Sequence, residues 1–176
     1  MSRPDRHPLD AAAILGALVA GGVDFVVIGG IAAVLHGSAQ ATFDLDICFS
    51  SDRPNLQSLG AVLVGLGARR RSADDAVGFV PDARTLRRVE VLTMVTDAGE
   101  LDVLARPAGS PGYTALRRHA DEFELDGLTV PVASIEDLIT MKRAAGRPKD
   151  LAAVAELEAI RELRGDEPSR GAGQRP

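Results

Sequence analysis

The segment Phe43-Asp44-Leu45-Asp46-Ile47-Cys48-Phe49-Ser50 constrains the fold more than any other. Its alternation sets Phe43, Leu45, Ile47 and Phe49 on one face of a strand and Asp44, Asp46, Cys48 and Ser50 on the other, because strand side chains repeat with period two. A chain that buries the first set presents the two aspartates together. Residues i and i+2 on a strand lie about 6.5–7 Å apart at Cα, so both carboxylates can hold one cation. Two ionised carboxylates on a partly covered face need a counter-charge, which a metal would supply. The alternative is a solvated edge strand with its polar side toward water.

The surrounding pattern is that of one mixed α/β domain. Leu9–Ala20 reads as a helix that buries Ile14, Leu15 and Leu18 and stops at Gly21-Gly22. Asp24–Ile28 is a short apolar run bounded by glycines, which suits a buried strand. Gly29-Gly30 turns the chain into a short helix through Ala32, Ala33 and Leu35, ending near Gly37. After the acidic strand, Pro54 fits a helix first turn, Leu56, Leu59, Leu63 and Leu66 follow at helical spacing, and Gly67 ends the run. Arg69–Arg71 and Ser72–Val77 read as a polar loop. Val89–Thr96 and Glu100–Ala105 form a hairpin about Asp97-Ala98-Gly99, and Phe123–Leu125 with Leu128–Val130 a second one about Asp126-Gly127. Ser134 and Asp137 resemble a capping box opening a helix through Ile135, Leu138 and Ile139 to Gly146. Pro148 begins a last helix carrying Leu151, Val154, Leu157 and Ile160. The expected organisation is one domain over 1–164 and a disordered tail over 165–176, where apolar periodicity is lost.

Composition removes several function classes. Aromatic residues are 3% of the chain and Trp is absent, so a stacking platform for single-stranded nucleic acid is not expected. Twenty basic against twenty-five acidic residues give a net charge of −5, which excludes a generally basic coat but not a local patch such as Arg69–Arg71, Arg84, Arg87-Arg88 and Arg117-Arg118. The single Cys48 rules out a disulfide framework and a Cys-cluster zinc site, and a reducing cytoplasm is the expected location. Arg3 and Arg6 ahead of Ala11–Ala20 imitate a secretory leader, but Asp5, Asp10, Pro4 and Pro8 and the lack of an A-x-A site argue against one. Asp24 interrupts the apolar zone, so no membrane span is expected.

Three further features stand near the acidic strand. Gly29-Gly30 at a helix start makes either a tight turn or an anion cradle of backbone N–H groups. Asp102 in Glu100–Leu104 is an acid in an otherwise apolar strand, either an outward edge residue or a third metal ligand. Lys142 and Lys149, the chain's only lysines, lie with Arg143 and Arg147 in a basic run that is either a solvated helix end or a phosphate site. Cys48 and His36 read as packing residues, while His7 and His119 look incidental.

Together the stretch IGGIAAVLHGSAQATFDLDICFS resembles the signature of the polymerase-beta-like nucleotidyltransferase superfamily: a Gly-Gly turn, a short helix, then Asp-x-Asp on the next strand. It looks closest to small bacterial nucleotidyltransferases of the AbiEii/MenT toxin type. LTMVTDAGELDVL and VPVASIEDLITMKRAAGRPKDLAAVAELE resemble that group's third-carboxylate hairpin and C-terminal helices, so the likeness runs from about Asp24 to Leu157. The implied fold is α+β, a mixed sheet with flanking helices.

The resemblance implies a metal-dependent enzyme that moves NMP from an NTP to an acceptor hydroxyl on RNA or tRNA, a protein or a small molecule. Asp44, Asp46 and Asp102 would be catalytic and bind two Mg²⁺ ions, with Mn²⁺ as a substitute. The nucleotide, ATP or another NTP, would lie along Gly29 and Gly30, near Ser38 and Thr42. Lys142 and Lys149 would contact the triphosphate and Asp150 would hold one of them in place. A toxin–antitoxin role with an antitoxin partner is also implied. One departure is Gln40, where the pattern has Arg; it keeps open a catalytically degenerate module that binds nucleotide or protein. A glycosyltransferase would need a longer chain for its acceptor domain, and no nucleophile motif supports a phosphohydrolase.

Overall fold

A computed structural model describes residues 8–71 and 79–165. The expected Ser72–Val77 loop, His7 and the tail beyond Gly165 lie outside the described residues. In chain order the elements are α1 (Ala11–Ala20), β1 (Phe25–Ile28), α2 (Gly29–Leu35), β2 (Asp44–Phe49), α3 (Arg53–Gly65), β3 (Arg69–Arg70) and α4 (Ala83–Leu86). They continue as β4 (Val91–Thr96), β5 (Gly99–Leu104), α5 (Tyr113–His119), β6 (Asp121–Leu125), β7 (Leu128–Val132), α6 (Ile135–Ala145) and α7 (Pro148–Arg164). Among the described residues no helix is long and apolar enough to cross a membrane.

The strands form one mixed sheet in the order β3-β4-β5-β2-β1-β7-β6. At its centre β1 runs antiparallel to β2, while β2 and β5 pair in parallel, as do β1 and β7. β1 is buried on both faces, which matches its unbroken apolar sequence. β2 and β5 bury Leu45, Ile47, Leu101 and Val103 on one side and leave Asp44, Asp46, Asp102 and Leu104 half-buried on the other. The alternation read in the sequence therefore becomes a two-sided sheet: an apolar face inside the core and an acidic face toward a cavity. α1 packs against α3 and β7, α2 rests on β1, β2 and α6, and α6 pairs with α7.

Local chemistry sets the boundaries. Asp10 caps α1 by accepting from the Ala13 N–H at 2.9 Å, and Ser134 caps α6 by accepting from the Asp137 N–H at 3.2 Å. Gly146 and Gly165 take left-handed conformations after α6 and α7. Asp126 and Gly127 both have positive φ, as the two-residue turn between β6 and β7 requires.

Several expectations are corrected. Phe43 is not on the buried face: it is 69% exposed, because the β1–β2 ladder ends at Ile28 opposite Asp46 and leaves residue 43 beyond it. Arg69–Arg70 is an edge strand on β4 rather than a loop; arginines are tolerated there because an edge faces water, and Arg70 lies over the Phe79 ring at 5.2 Å. α2 begins at Gly29 itself, so the glycines are its first turn and not a turn before it. The short helices α4 and α5 carry too few apolar residues to show a helical period.

Candidate active site

The parallel register of β2 and β5 builds the site. Asp44 stands opposite Glu100 and Asp46 opposite Asp102. One carboxylate oxygen from each of Asp44, Asp46 and Asp102 lies within 4.8 Å of the other two. Thr42 holds Asp44 in place, its hydroxyl donating to Oδ1 at 3.1 Å. Asp102 Oδ1 is buried without a hydrogen-bond partner. A buried, orphaned oxygen is costly, and a cation would satisfy it. Three clustered carboxylates are hard oxygen donors of the kind that suit Mg²⁺ or Mn²⁺, so the donor set fits a divalent cation.

Electrostatics point the same way. Burial, followed by the neighbouring charges of Asp44 and Asp102, pushes the Asp46 carboxyl up to about 7, against the opposing pull of the Gly30 N–H and Lys142. Burial also raises Asp102 above the ordinary carboxylate range, with Asp44 adding to it and the Thr93 hydroxyl opposing it. Both shifts record first the burial of the carboxylates and then their crowding beside like charge.

The two glycines are required by proximity. A Cβ at Gly29 would fall 2.2 Å from Asp46 Oδ2, and Gly29 has φ +68°; a Cβ at Gly30 would fall 2.4 Å from Thr42 Oγ1. Gly30 directs its N–H to the Asp46 carboxylate. The glycine start of α2 thus presses its backbone directly on the acidic strand.

A cavity of about 520 Å³ opens over this cluster. Of the sequence-nominated residues, Gly29, Gly30, Ser38, Thr42, Asp44, Asp46, Asp102, Lys142 and Lys149 all line it. Ser38 is tied down, its hydroxyl donating to Glu156 at 2.8 Å. Asp150 does not hold a lysine: Arg147, at the N-cap of α7, donates to it through Nε at 2.6 Å and through a terminal nitrogen at 3.2 Å. The Asp150 carboxyl is buried and held below its ordinary range by that guanidinium. His36 packs as the sequence suggested, buried with its ring edge-on to Phe123 and Nε2 at 2.9 Å from the Ala133 carbonyl.

Sequence reasoning left three residues out. Arg147 reads in the sequence only as part of a basic run, although its N-cap position beside Asp150 marks it. Glu100 lies two residues before Asp102 and so shares its face, a signal available from period two; its side chain is nearly buried and 3.1 Å from Arg71. Glu156 accepts the Ala39 N–H at 2.8 Å and also hydrogen-bonds Ser38 and Gln40. No local pattern marks it, because its partners are more than a hundred residues away.

Comparison with solved structures identifies the fold. The lincosamide antibiotic adenylyltransferase LnuA, with lincomycin bound, superposes with a TM-score of 0.61 at 17% identity, over 89% of this chain and 99% of that one. The antibiotic-resistance factor ANT(2'')-Ia gives 0.52 at 19% identity over 88% of each chain. An antigenic nucleotidyltransferase-like protein from Paracoccidioides brasiliensis gives 0.51 at 17% identity, over 89% of this chain and 78% of that one. No protein-family model matches the sequence, and no curated protein does. The chain has the nucleotidyltransferase fold, the mixed sheet with flanking helices that the sequence implied.

Proposed function

We propose that this protein transfers the nucleoside monophosphate of an NTP to an acceptor hydroxyl, with Asp44, Asp46 and Asp102 holding the divalent cation. The observation that carries the reading is the convergence of these three carboxylates beside Gly29–Gly30, in a fold shared with adenylyltransferases. A divalent cation there would supply Lewis-acid stabilisation of the charge that develops on the phosphate oxygens.

The chain's own residues supply the rest. Lys142, Arg147 and Lys149 put positive charge along the α6–α7 side of the cavity, where a triphosphate would be drawn. Asp150 fixes the Arg147 guanidinium in a two-point contact, so that cation is presented in one orientation. Asp102, its carboxyl raised by burial above the ordinary carboxylate range, is the group suited to take the proton from the acceptor hydroxyl. The acceptor oxygen then bonds to the α-phosphorus, the bond from that phosphorus to the bridging oxygen breaks, and pyrophosphate leaves on the basic side.

Gln40 does not by itself disable the site. Glu156 gathers Ser38, Ala39 and Gln40, so the loop entering the acidic strand is held without a guanidinium at residue 40. ANT(2'')-Ia has been crystallised with adenylyl-2''-tobramycin, and an NMP linked to an acceptor oxygen is the product class proposed here. The test is label transfer from α-labelled NTPs with Mg²⁺ or Mn²⁺, run beside calorimetry of nucleotide binding. Transfer by the parent chain supports the reading, whereas binding without turnover favours a nucleotide-binding module.

A further inference from the structure

We propose that the acceptor is a small, non-anionic, hydroxyl-bearing molecule with an apolar face, seated against Phe43, Val91 and Leu104, and is not a nucleic acid. The inference rests on the NMP-transfer reading and adds the class of the second substrate.

The cavity is polarised. Among its described lining residues, the cations Lys142, Arg147 and Lys149 all come from α6 and the start of α7. The opposite side, built from β4, β5 and the entry to β2, is lined by Phe43, Val91 and Leu104, with Glu100 and Asp102 between them. Register places Val91 directly opposite Leu104, so these two form a continuous apolar strip ending beside the acidic cluster. Phe43 is 69% exposed and Val91 53% exposed. An aromatic ring and a branched aliphatic side chain held in water at a cavity rim lose the hydrophobic gain that a bound apolar surface would restore. The one cation on this side, Arg71, lies 3.1 Å from the Glu100 carboxylate.

On the acceptor side of the cavity a polyanionic acceptor meets a single cation among the described lining residues, Arg71. Phosphate contacts need cations in sequence along the strand. Arg69 pairs with Asp97 at 3.4 Å, Arg71 with Glu100, and Arg117 with Glu122 at 2.9 Å. Arg117 also sits on α5, whose Tyr113 feels Asp24 and Asp52, at the end of β1 opposite Gly29. Arg69, Arg71 and Arg117 are thus ion-paired, and of the candidate arginines only Arg71 is among the described residues that line the cavity. With the triphosphate on the α6–α7 side, the acceptor meets apolar carbon and carboxylate. In the transfer its hydroxyl proton passes to Asp102, its oxygen bonds to the α-phosphorus, and pyrophosphate departs.

The test uses the full chain, Mg²⁺ and α-labelled NTPs in separate arms: total RNA, a protein fraction, the small-molecule filtrate of a cell extract, and a panel of cyclic alcohols and hydroxyl-bearing amines. Label is expected in the small-molecule arms. With the acceptor so found, Phe43→Ala should raise the acceptor KM about tenfold, a loss of the size that one buried apolar contact provides, and Phe43→Tyr should restore it. Label on RNA, as the AbiEii/MenT resemblance implies, or on protein overturns the acceptor class and leaves NMP transfer standing. A Phe43→Ala variant whose NTP KM rises instead also overturns it, by assigning the Phe43 ring to the nucleobase. Label in no arm while Mg·NTP binds overturns the transfer reading, and this inference with it.

Discussion

Gly29 and Asp46 compete for one space: a Cβ on residue 29 would lie 2.2 Å from Asp46 Oδ2, and the Gly29 backbone has a φ of +68°. Gly29→Ala must therefore move either the carboxylate or the start of α2, and it adds left-handed strain as well. We expect NMP transfer to fall by about two decades and stability by about 1–3 kcal/mol. Label transfer and thermal unfolding on the same preparation check both. Full activity in Gly29→Ala would mean that Asp46 has freedom this packing denies it.

The Asp46 carboxyl gives a pH signature. Folding raises it from 3.8 to about 7, so the folded state holds its proton more tightly than the unfolded chain does. That stabilisation is complete below pH ~4 and is lost as pH rises toward 7. In cation-free buffer, Tm should decline across this window, while Asp46→Asn should decline less and melt a few degrees above the parent near pH ~8. Mg²⁺ should reverse the order at that pH by binding the ionised parent. Calorimetric scans with and without Mg²⁺ measure all of these.

Asp102→Asn and Asp44→Asn should each lower transfer by about two to three decades, in the range seen when a group placed on developing charge is removed. Both positions are half-buried among like charges, so neutralising one relieves repulsion and the fold should persist. Circular dichroism should match the parent, and the Mg²⁺-dependent rise in Tm should vanish.

Arg147→Ala leaves Asp150, 4% exposed, without the guanidinium that satisfies both its oxygens. A loss of about 1–3 kcal/mol is expected for a carboxylate so stranded. Lys149→Ala should cost far less, since Lys149 is exposed. Denaturant unfolding separates the two. Because the pair holds the Asp150 carboxyl low, the difference between parent and Arg147→Ala should shrink as acidification proceeds below the ordinary carboxylate range.

Much of this fold could be read from local pattern. The period-two run over Asp44–Phe49, the Asp126-Gly127 turn and the Ser134 cap each encode their structure within a few residues, and the sheet contains them. Phe43 misled because alternation says which side a residue takes but not where the neighbouring strand stops. Glu156 and the pairing of Arg71 with Glu100 stay hidden in the sequence because these partners meet only through tertiary packing. α4 rests on one capping contact, from Thr85 N–H to Asp82 at 2.8 Å, and one buried leucine, Leu86, too little to show as a period.

The pairing of β2 with β5 has a consequence during synthesis. Asp46 and Asp102 come from strands separated by α3, β3, α4 and β4, and only the closed ladder sets them side by side. A nascent chain that has emerged only as far as β4 owns two of the three carboxylates and cannot yet hold the ion with all of them. Capture of a cation by all three carboxylates would thus be linked to the pairing of two strands distant in sequence, and an ion so held would favour the finished molecule over its precursors.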